Sequence, residues 1–462
     1  MAAGPDHGGK IVMNITYMAE LLATVSERAS RLVGLGPKPR STAERGDIAA
    51  LAADLVSHRG EASGVAIARE IIARYDALGT EEKVRFLSGL VERFGPDEER
   101  VARAVEAWRT DPSPAAVSEL HIAAEPRRQE LLRRLNLAPG GTLALVHMRE
   151  DVLDLMGDEP NLKVLDIDLV HLFSSWFNRG FLVVRRIDWS TPANILEKLI
   201  EYEAVHEIDG WDDLRRRIEP ADRRCYAFFH PQLADEPLIF VEIALTTGIP
   251  SAIGPLLAAD RKPLAPKEAT TAVFYSISNC QQGLAGISFG SFLIKQVVDE
   301  LKRDLPQLTT FVTLSPAPGF AAWLDCERNA ETSPLSPSDR QTLDLLDRPG
   351  WHLDKAIIDR IEPVMRHAAA RYYLEARTAK GRPVDPVARF HLGNGARLEQ
   401  IDFIGDTSPR GLAQAYGLMV NYLYDLERIE ENHEAYADKG ATAASSAVRA
   451  LLKRDTSSRE LA

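Results

Sequence analysis

Residues 272–305 read AVFYSISNCQQGLAGISFGSFLIKQVVDELKRDL, and the rest of the chain is interpreted around them. Residues 272–277 form an apolar run rich in β-branched and aromatic side chains, the pattern of a buried strand. From about Gly290 to Leu305 the apolar residues recur at helical spacing. The connection between them carries Gly283, Gly286 and Gly290 and no acidic residue. Successive backbone N–H groups before a helix N-terminus make an anion site, and glycine lets a bulky anion approach the backbone closely. A glycine-rich connection without a ligand accounts for the local sequence equally well. Gly286-Ile-Ser288-Phe-Gly290 also matches the Gly-x-Ser-x-Gly elbow of α/β-hydrolases. That elbow follows its strand directly, whereas about eight residues intervene here. Hydrolysis through Ser288 is therefore the runner-up reading.

Working outward, residues 224–229, 238–245 and 309–314 read as further strands, and 353–376 as a long helix. Residues 387–391 and 397–403 flank Gly393-Asn394-Gly395, a hairpin signal that places His391 on a strand. A last helix is expected from about Arg410 to Ile429. Upstream, Ser190-Thr191-Pro192 reads as a helix start, with the helix running to about His206. The first ~185 residues show helical periodicity, and residues 126–135 read as a solvated basic helix face. The expectation is an all-α domain over 1–188 followed by an α+β domain over 189–462.

Composition narrows the function. The 462 residues contain 55 Lys+Arg against 67 Asp+Glu, a net charge of −12, which gives no general pull on nucleic acid or anionic lipid. Cys225, Cys280 and Cys326 are dispersed and odd in number, which excludes a disulfide framework and fits a reducing compartment. Asp6 and Glu20 argue against a targeting peptide. Residues 238–259, the most apolar long stretch, contain Glu242, Pro250 and Pro255, so they read as a strand and a loop rather than a membrane span. The role of Glu242 in that strand is open. A cytoplasmic protein is the default. The eleven histidines are scattered, with no His-Glu-x-x-His, no Walker A loop and no Gly-x-Gly-x-x-Gly, so nothing argues for a metal or a nucleotide cofactor.

Two further segments carry candidate chemistry. Thr313-Leu-Ser315-Pro316-Ala-Pro318-Gly-Phe320 ends a strand, and Ser315 could simply cap the helix that follows. Phe390-His391-Leu392 supplies the side chain best suited to move a proton near neutral pH, although a lone histidine is more often structural.

In sequence order, Phe274-Tyr-Ser-Ile-Ser278, Gln281-Gln-Gly-Leu284, Phe292-Leu-Ile-Lys295, Leu314-Ser-Pro316, Phe390-His-Leu392 and Gly417-Leu-Met-Val-Asn-Tyr422 resemble malonyl-CoA decarboxylases. His58-Arg-Gly-Glu-Ala-Ser63 and Glu203-Ala-Val-His206 are similar to that family as well. The resemblance implies a helical domain used in assembly and a catalytic domain with the fold of the Gcn5-related N-acetyltransferases. It implies that Ala285, Gly286, Ile287, Ser288, Phe289, Gly290 and Ser291 hold the CoA pyrophosphate. It also implies that Ser315 and His391 are the catalytic pair, with Tyr424 lining the pocket. Malonyl-CoA and acetyl-CoA are then the ligands, no cofactor beyond CoA itself is needed, and a homo-oligomer (dimer or tetramer) is expected. An acetyl-CoA-dependent acetyltransferase and a non-catalytic acyl-CoA binder are the other readings. Lys295 and Arg303 are candidates for the CoA 3′-phosphate, and surface solvation explains them as well.

Overall fold

The computed structural model describes residues 47–57, 61–233, 235–287 and 293–453. The chain divides into two compact units, Met1–Leu169 and Val170–Ala462. The division falls inside a helix, upstream of residue 188.

The first unit is helical: α1 Ile48–Leu55, α2 Glu61–Asp76, α3 Thr80–Arg93, α4 Glu98–Thr110, α5 Pro114–Ala124, α6 Arg127–Asn136, α7 Gly141–Leu155 and the start of α8 Lys163–Trp176. Leu87, Leu90, Leu131, Leu132, Leu135, Leu145 and Val152 form a fully buried core. Helix α6 is not a wholly solvated basic face. Arg128 is buried in an ion pair with Asp168, and Arg134 donates to the carbonyls of Leu55 and Ser57 at 2.6 and 3.0 Å.

The second unit opens with the end of α8 and then a strand, where the sequence reading continued the helices. β1 Val183–Ile187 is an edge strand whose arginines leave no alternating apolar pattern to read. Next come α9 Ala193–Tyr202, α10 Gly210–Ile218, β2 Arg223–Phe229, β3 Pro237–Thr246, α11 Gly254–Leu257, β4 Thr271–Asn279 and α12 Leu293–Asp304. The remainder is β5 Thr310–Thr313, β6 Ser315–Pro316, α13 Phe320–Asn329, α14 Pro337–Leu343, α15 Lys355–Leu374, α16 Pro386–Gly393, β7 Arg397–Asp402, α17 Pro409–Ala415, β8 Met419–Leu423, α18 Ile429–Lys439 and α19 Ser446–Ala450. β1 to β4 form an antiparallel meander, β4 and β5 are parallel, and β8 lies antiparallel to β5, β6 and β7. A helical region is thus followed by a mixed sheet, with β4 at its centre.

Two elements differ from the sequence expectation. Residues 386–393 are a helix, not half of a hairpin. Asp385 caps it by accepting from the Ala388 N–H at 2.7 Å, and Pro386 fills the first turn. The Gly-Asn-Gly run closes that helix instead of turning a hairpin. Gly395 has φ +80°, as a helix C-terminus often requires, and its Cβ would lie 2.1 Å from the Ile429 carbonyl oxygen. Downstream, the expected helix over 410–429 ends at Ala415, because Tyr416 and Gly417 take positive φ (50° and 78°) and turn the chain into β8. No helix among the described residues is long and apolar enough to cross a membrane.

Gly395→Ala should therefore lower unfolding stability by roughly 1–3 kcal/mol from the left-handed backbone alone, with the Ile429 clash adding to it. Gly381 also has positive φ (73°) but open space around it, so Gly381→Ala should show only the smaller, conformational loss. Denaturant midpoints of the two variants check this, and equal midpoints would refute the packing argument.

Candidate active site

The site arises where β4 and β5 part. They pair in register from Thr271/Thr310 to Phe274/Thr313, and the Leu314 N–H still bonds the Phe274 carbonyl at 3.0 Å. Beyond that point the chain follows β8 instead. β5 and β6 run along one edge of β8 in an unbroken register, Val312 opposite Leu423 and Ser315 opposite Val420. Side chains fill the break between them. The Thr313 hydroxyl accepts the Tyr422 N–H at 3.1 Å, and Asn421 Nδ2 donates to the Thr313 carbonyl at 2.8 Å. β4 meanwhile stays on β3, with a bulge at Tyr275 because Glu242 pairs with Ser276 and Ile243 with Phe274. The divergence opens a cleft of about 240 Å3, whose walls include Phe274, Ile277, Asn279, Ser315, Pro386 and His391.

Ser315 and His391, 76 positions apart, meet in this cleft with Oγ and Nε2 at 3.2 Å. Ser315 is thus a strand residue aimed at the cleft and does not cap α13, whose N-cap position is Gly319. The hydroxyl of Ser315 donates to Thr313 Oγ1 at 2.9 Å, which leaves His391 Nε2–H as the donor to Ser315. On the other side of the ring, Nδ1 lies 2.8 Å from the Tyr424 hydroxyl, which donates to it in this tautomer. The ring also stacks on Tyr422, with centroids 4.6 Å apart. Burial pushes the His391 imidazole down to about 3, so it is neutral around pH 7, and burial pushes the Tyr424 phenol up. The four residues form a hydrogen-bonded line, Tyr424–His391–Ser315–Thr313, in which a hydroxyl rather than a carboxylate stands behind the histidine ring. Ser315 keeps its proton on Thr313, so it is not arranged as an activated nucleophile.

Of the loop residues expected to grip a pyrophosphate, Ala285 and Gly286 are exposed, Gly286 has φ +76°, and Ile287 is buried. Ser288, Phe289, Gly290 and Ser291 lie outside the described residues, so the hydrolase-type elbow does too. Lys295 pairs with Glu430 at 3.0 Å, and Arg303 with Glu300 on its own helix at 2.9 Å.

Sequence reasoning missed Thr313 and one wall of the cleft, the segment after α9. Glu203 accepts from the N–H groups of Val205 and His206 at 2.7 and 2.9 Å, and Ser276 Oγ lies 2.8 Å from the same oxygen. Ser278 Oγ accepts the Ala204 N–H at 3.2 Å. Glu242 is fully buried and joins the same cluster. It pairs with Arg217 at 3.3 Å, and Arg217 also donates to the carbonyls of His206 and Glu207, each at 2.6 Å. Burial raises the Glu242 carboxyl to about 8, with Glu203 adding to the shift and Arg217 opposing it. The signal was present in Glu203-Ala-Val-His206, but nothing local ties it to Ser276.

Comparison with known proteins places the chain in a family. Residues 180–462 match the model of the malonyl-CoA decarboxylase C-terminal domain, and residues 94–177 that of its N-terminal domain. The chain is 36% identical over 403 residues to the mitochondrial malonyl-CoA decarboxylase of Anser anser anser, covering 79% of each chain. It is similar to the crystal structure of malonyl-CoA decarboxylase from Rhodopseudomonas palustris (60% identity, TM-score 0.84, 89% of this chain and 100% of that one). The Agrobacterium vitis structure gives 60% identity and a TM-score of 0.85 over 88% of this chain and 100% of that one. The chain belongs to the malonyl-CoA decarboxylase family.

Proposed function

We propose that this chain decarboxylates malonyl-CoA to acetyl-CoA and CO2, with Ser315, His391 and Tyr424 at the reacting end and residues 285–291 at the CoA pyrophosphate. The observation that carries the reading is the Ser315–His391 contact inside a mostly apolar cleft. Loss of CO2 moves negative charge from the carboxylate to the thioester oxygen. Apolar walls favour departure of the charge from the carboxylate, and a fixed donor favours its arrival on oxygen. The thioester is its own electron sink, so no cofactor is invoked.

Neutral His391 offers Nε2–H toward the cleft, and Ser315 can turn its hydroxyl from Thr313 to the substrate. An anion bound in the same dry space raises the proton affinity of the imidazole. His391 then takes up the proton that the reaction consumes and delivers it to the α-carbon. Tyr424 holds the ring in place and accommodates either protonation state at Nδ1, because a hydroxyl both donates and accepts.

None of the described residues lining the cleft belongs to the helical unit. It exposes Trp108, Val117, Ile122, Leu137 and Ile167, which supports self-association as its role, in a dimer or a tetramer. Three free, dispersed cysteines support a cytoplasmic location.

Incubation with malonyl-CoA should give CO2 and acetyl-CoA without an acceptor. Free CoA as the main product would favour hydrolysis, and transfer to an amine would favour an acetyltransferase. His391→Ala should keep affinity for the substrate and turn over at least ~10²-fold more slowly, as measured by CO2 release. Wild-type turnover in that variant would end the assignment.

The ionisation of His391 gives a separate check on the unliganded protein. Its imidazole sits at about 3 in the fold against an ordinary 6.5. Between those values the unfolded chain binds a proton that the folded chain does not, so stability falls as pH drops through that window. His391→Asn should make the decline shallower, and ring 15N shifts should show His391 neutral at pH 5.5. A charged ring at that pH would contradict the dry-cleft argument.

A further inference from the structure

We propose that Val205 is the partition that limits the size of the acyl group, holding the α-carbon pocket closed against a neighbouring cavity. This deepens the decarboxylase reading and rests on it. Val205 is the residue common to the walls of two spaces: the 240 Å3 cleft of Ser315 and His391, and a cavity of about 700 Å3 bounded by Ile253, Gly254, Gly405, Asp406 and Arg410. Of the other walls, the central strand backs onto packed protein, while Asn279, Pro386 and Phe390 stand at the exposed mouth of the cleft. Phe274 is 1% exposed and lies in the central strand, and Pro386 is fixed by the cap of α16. Val205 backs onto open space.

Its main chain cannot drift to relieve crowding. Glu203 and Ser278 hold the N–H groups of Ala204, Val205 and His206 from one side, and Arg217 holds the His206 and Glu207 carbonyls from the other. A β-branched side chain on such a backbone has little rotamer freedom. The partition is therefore rigid, and it stands in the wall of the same cleft as Ser315 and His391. An unbranched malonyl thioester fits within it. A branch on the α-carbon directed at this wall needs volume that removal of the Val205 methyl groups supplies, by joining the two spaces. Val205 is half-buried and outside the packed core, so trimming it leaves the fold intact.

The test compares kcat/KM for malonyl-CoA and methylmalonyl-CoA in the wild type, Val205→Ala and Val205→Leu, by CO2 release. Val205→Ala should raise the methylmalonyl to malonyl ratio ~10-fold or more, the scale of discrimination that one or two methyl-sized groups provide in an apolar pocket. Val205→Leu should lower the ratio. An unchanged ratio in Val205→Ala, with malonyl-CoA still turned over, overturns this inference alone. So does an equal loss on both substrates. No CO2 from either thioester with the wild type overturns the decarboxylase reading and this inference with it.

Discussion

The candidate site in the second unit follows from the parting of two parallel strands. Once β4 and β5 separate after Phe274 and Thr313, backbone groups on both sides lose their ladder partners and must find others. On the β5 side the answer is Thr313 and Asn421, which complete the bonding to β8 through side chains. β4 keeps its pairing with β3 on its other edge, with one residue bulged out at Tyr275. On the β5 side the gap is thus a product of satisfied hydrogen bonds rather than a packing fault. Because Thr313 repairs the ladder with the same oxygen that receives the Ser315 hydroxyl, the placement of Ser315 is tied to the feature that creates the cleft.

Dryness then decides the chemistry. A histidine with a carboxylate behind it would be held toward the charged form, as in hydrolytic triads. His391 has a tyrosine hydroxyl there and full burial around it, so the site holds a neutral ring with a directed N–H. That state suits a reaction in which the substrate brings the negative charge. Neutral imidazole can serve as an electrophilic donor, and its proton affinity rises only when an anion arrives.

The sequence was most legible where local pattern and final environment agree. β2, β3, β4 and α12 are buried runs or one-sided stripes, and their types were clear from periodicity. The pairing of Ser315 with His391 came from resemblance, since no local rule joins residues 76 apart. The errors have a common cause. Asn-Gly serves a hairpin and a helix C-terminus equally, because both need a left-handed residue, and only the Asp385-Pro386 start distinguishes them. β8 was hidden by the continuation of a helical pattern past Gly417, where the backbone conformation changes. β1 was hidden because an edge strand need not alternate.

The buried charges behind the cleft make sense only as positioning devices. Glu203, Arg217 and Glu242 are all removed from water, and such groups are often replaceable by apolar residues at no cost in stability. Apolar residues of the same size would pack the space but would not fix the main chain of residues 203–207. Glu203 binds its N–H groups and Arg217 its carbonyls, so opposite charges read opposite ends of the peptide dipoles. Asp213 pairs with Arg217 at 2.9 Å and offsets the charge that this task buries, with Glu242 beneath at 3.3 Å. A segment without secondary structure of its own becomes as well located as the strand beside it, which is what a narrow cleft needs from its one wall that is neither strand nor helix.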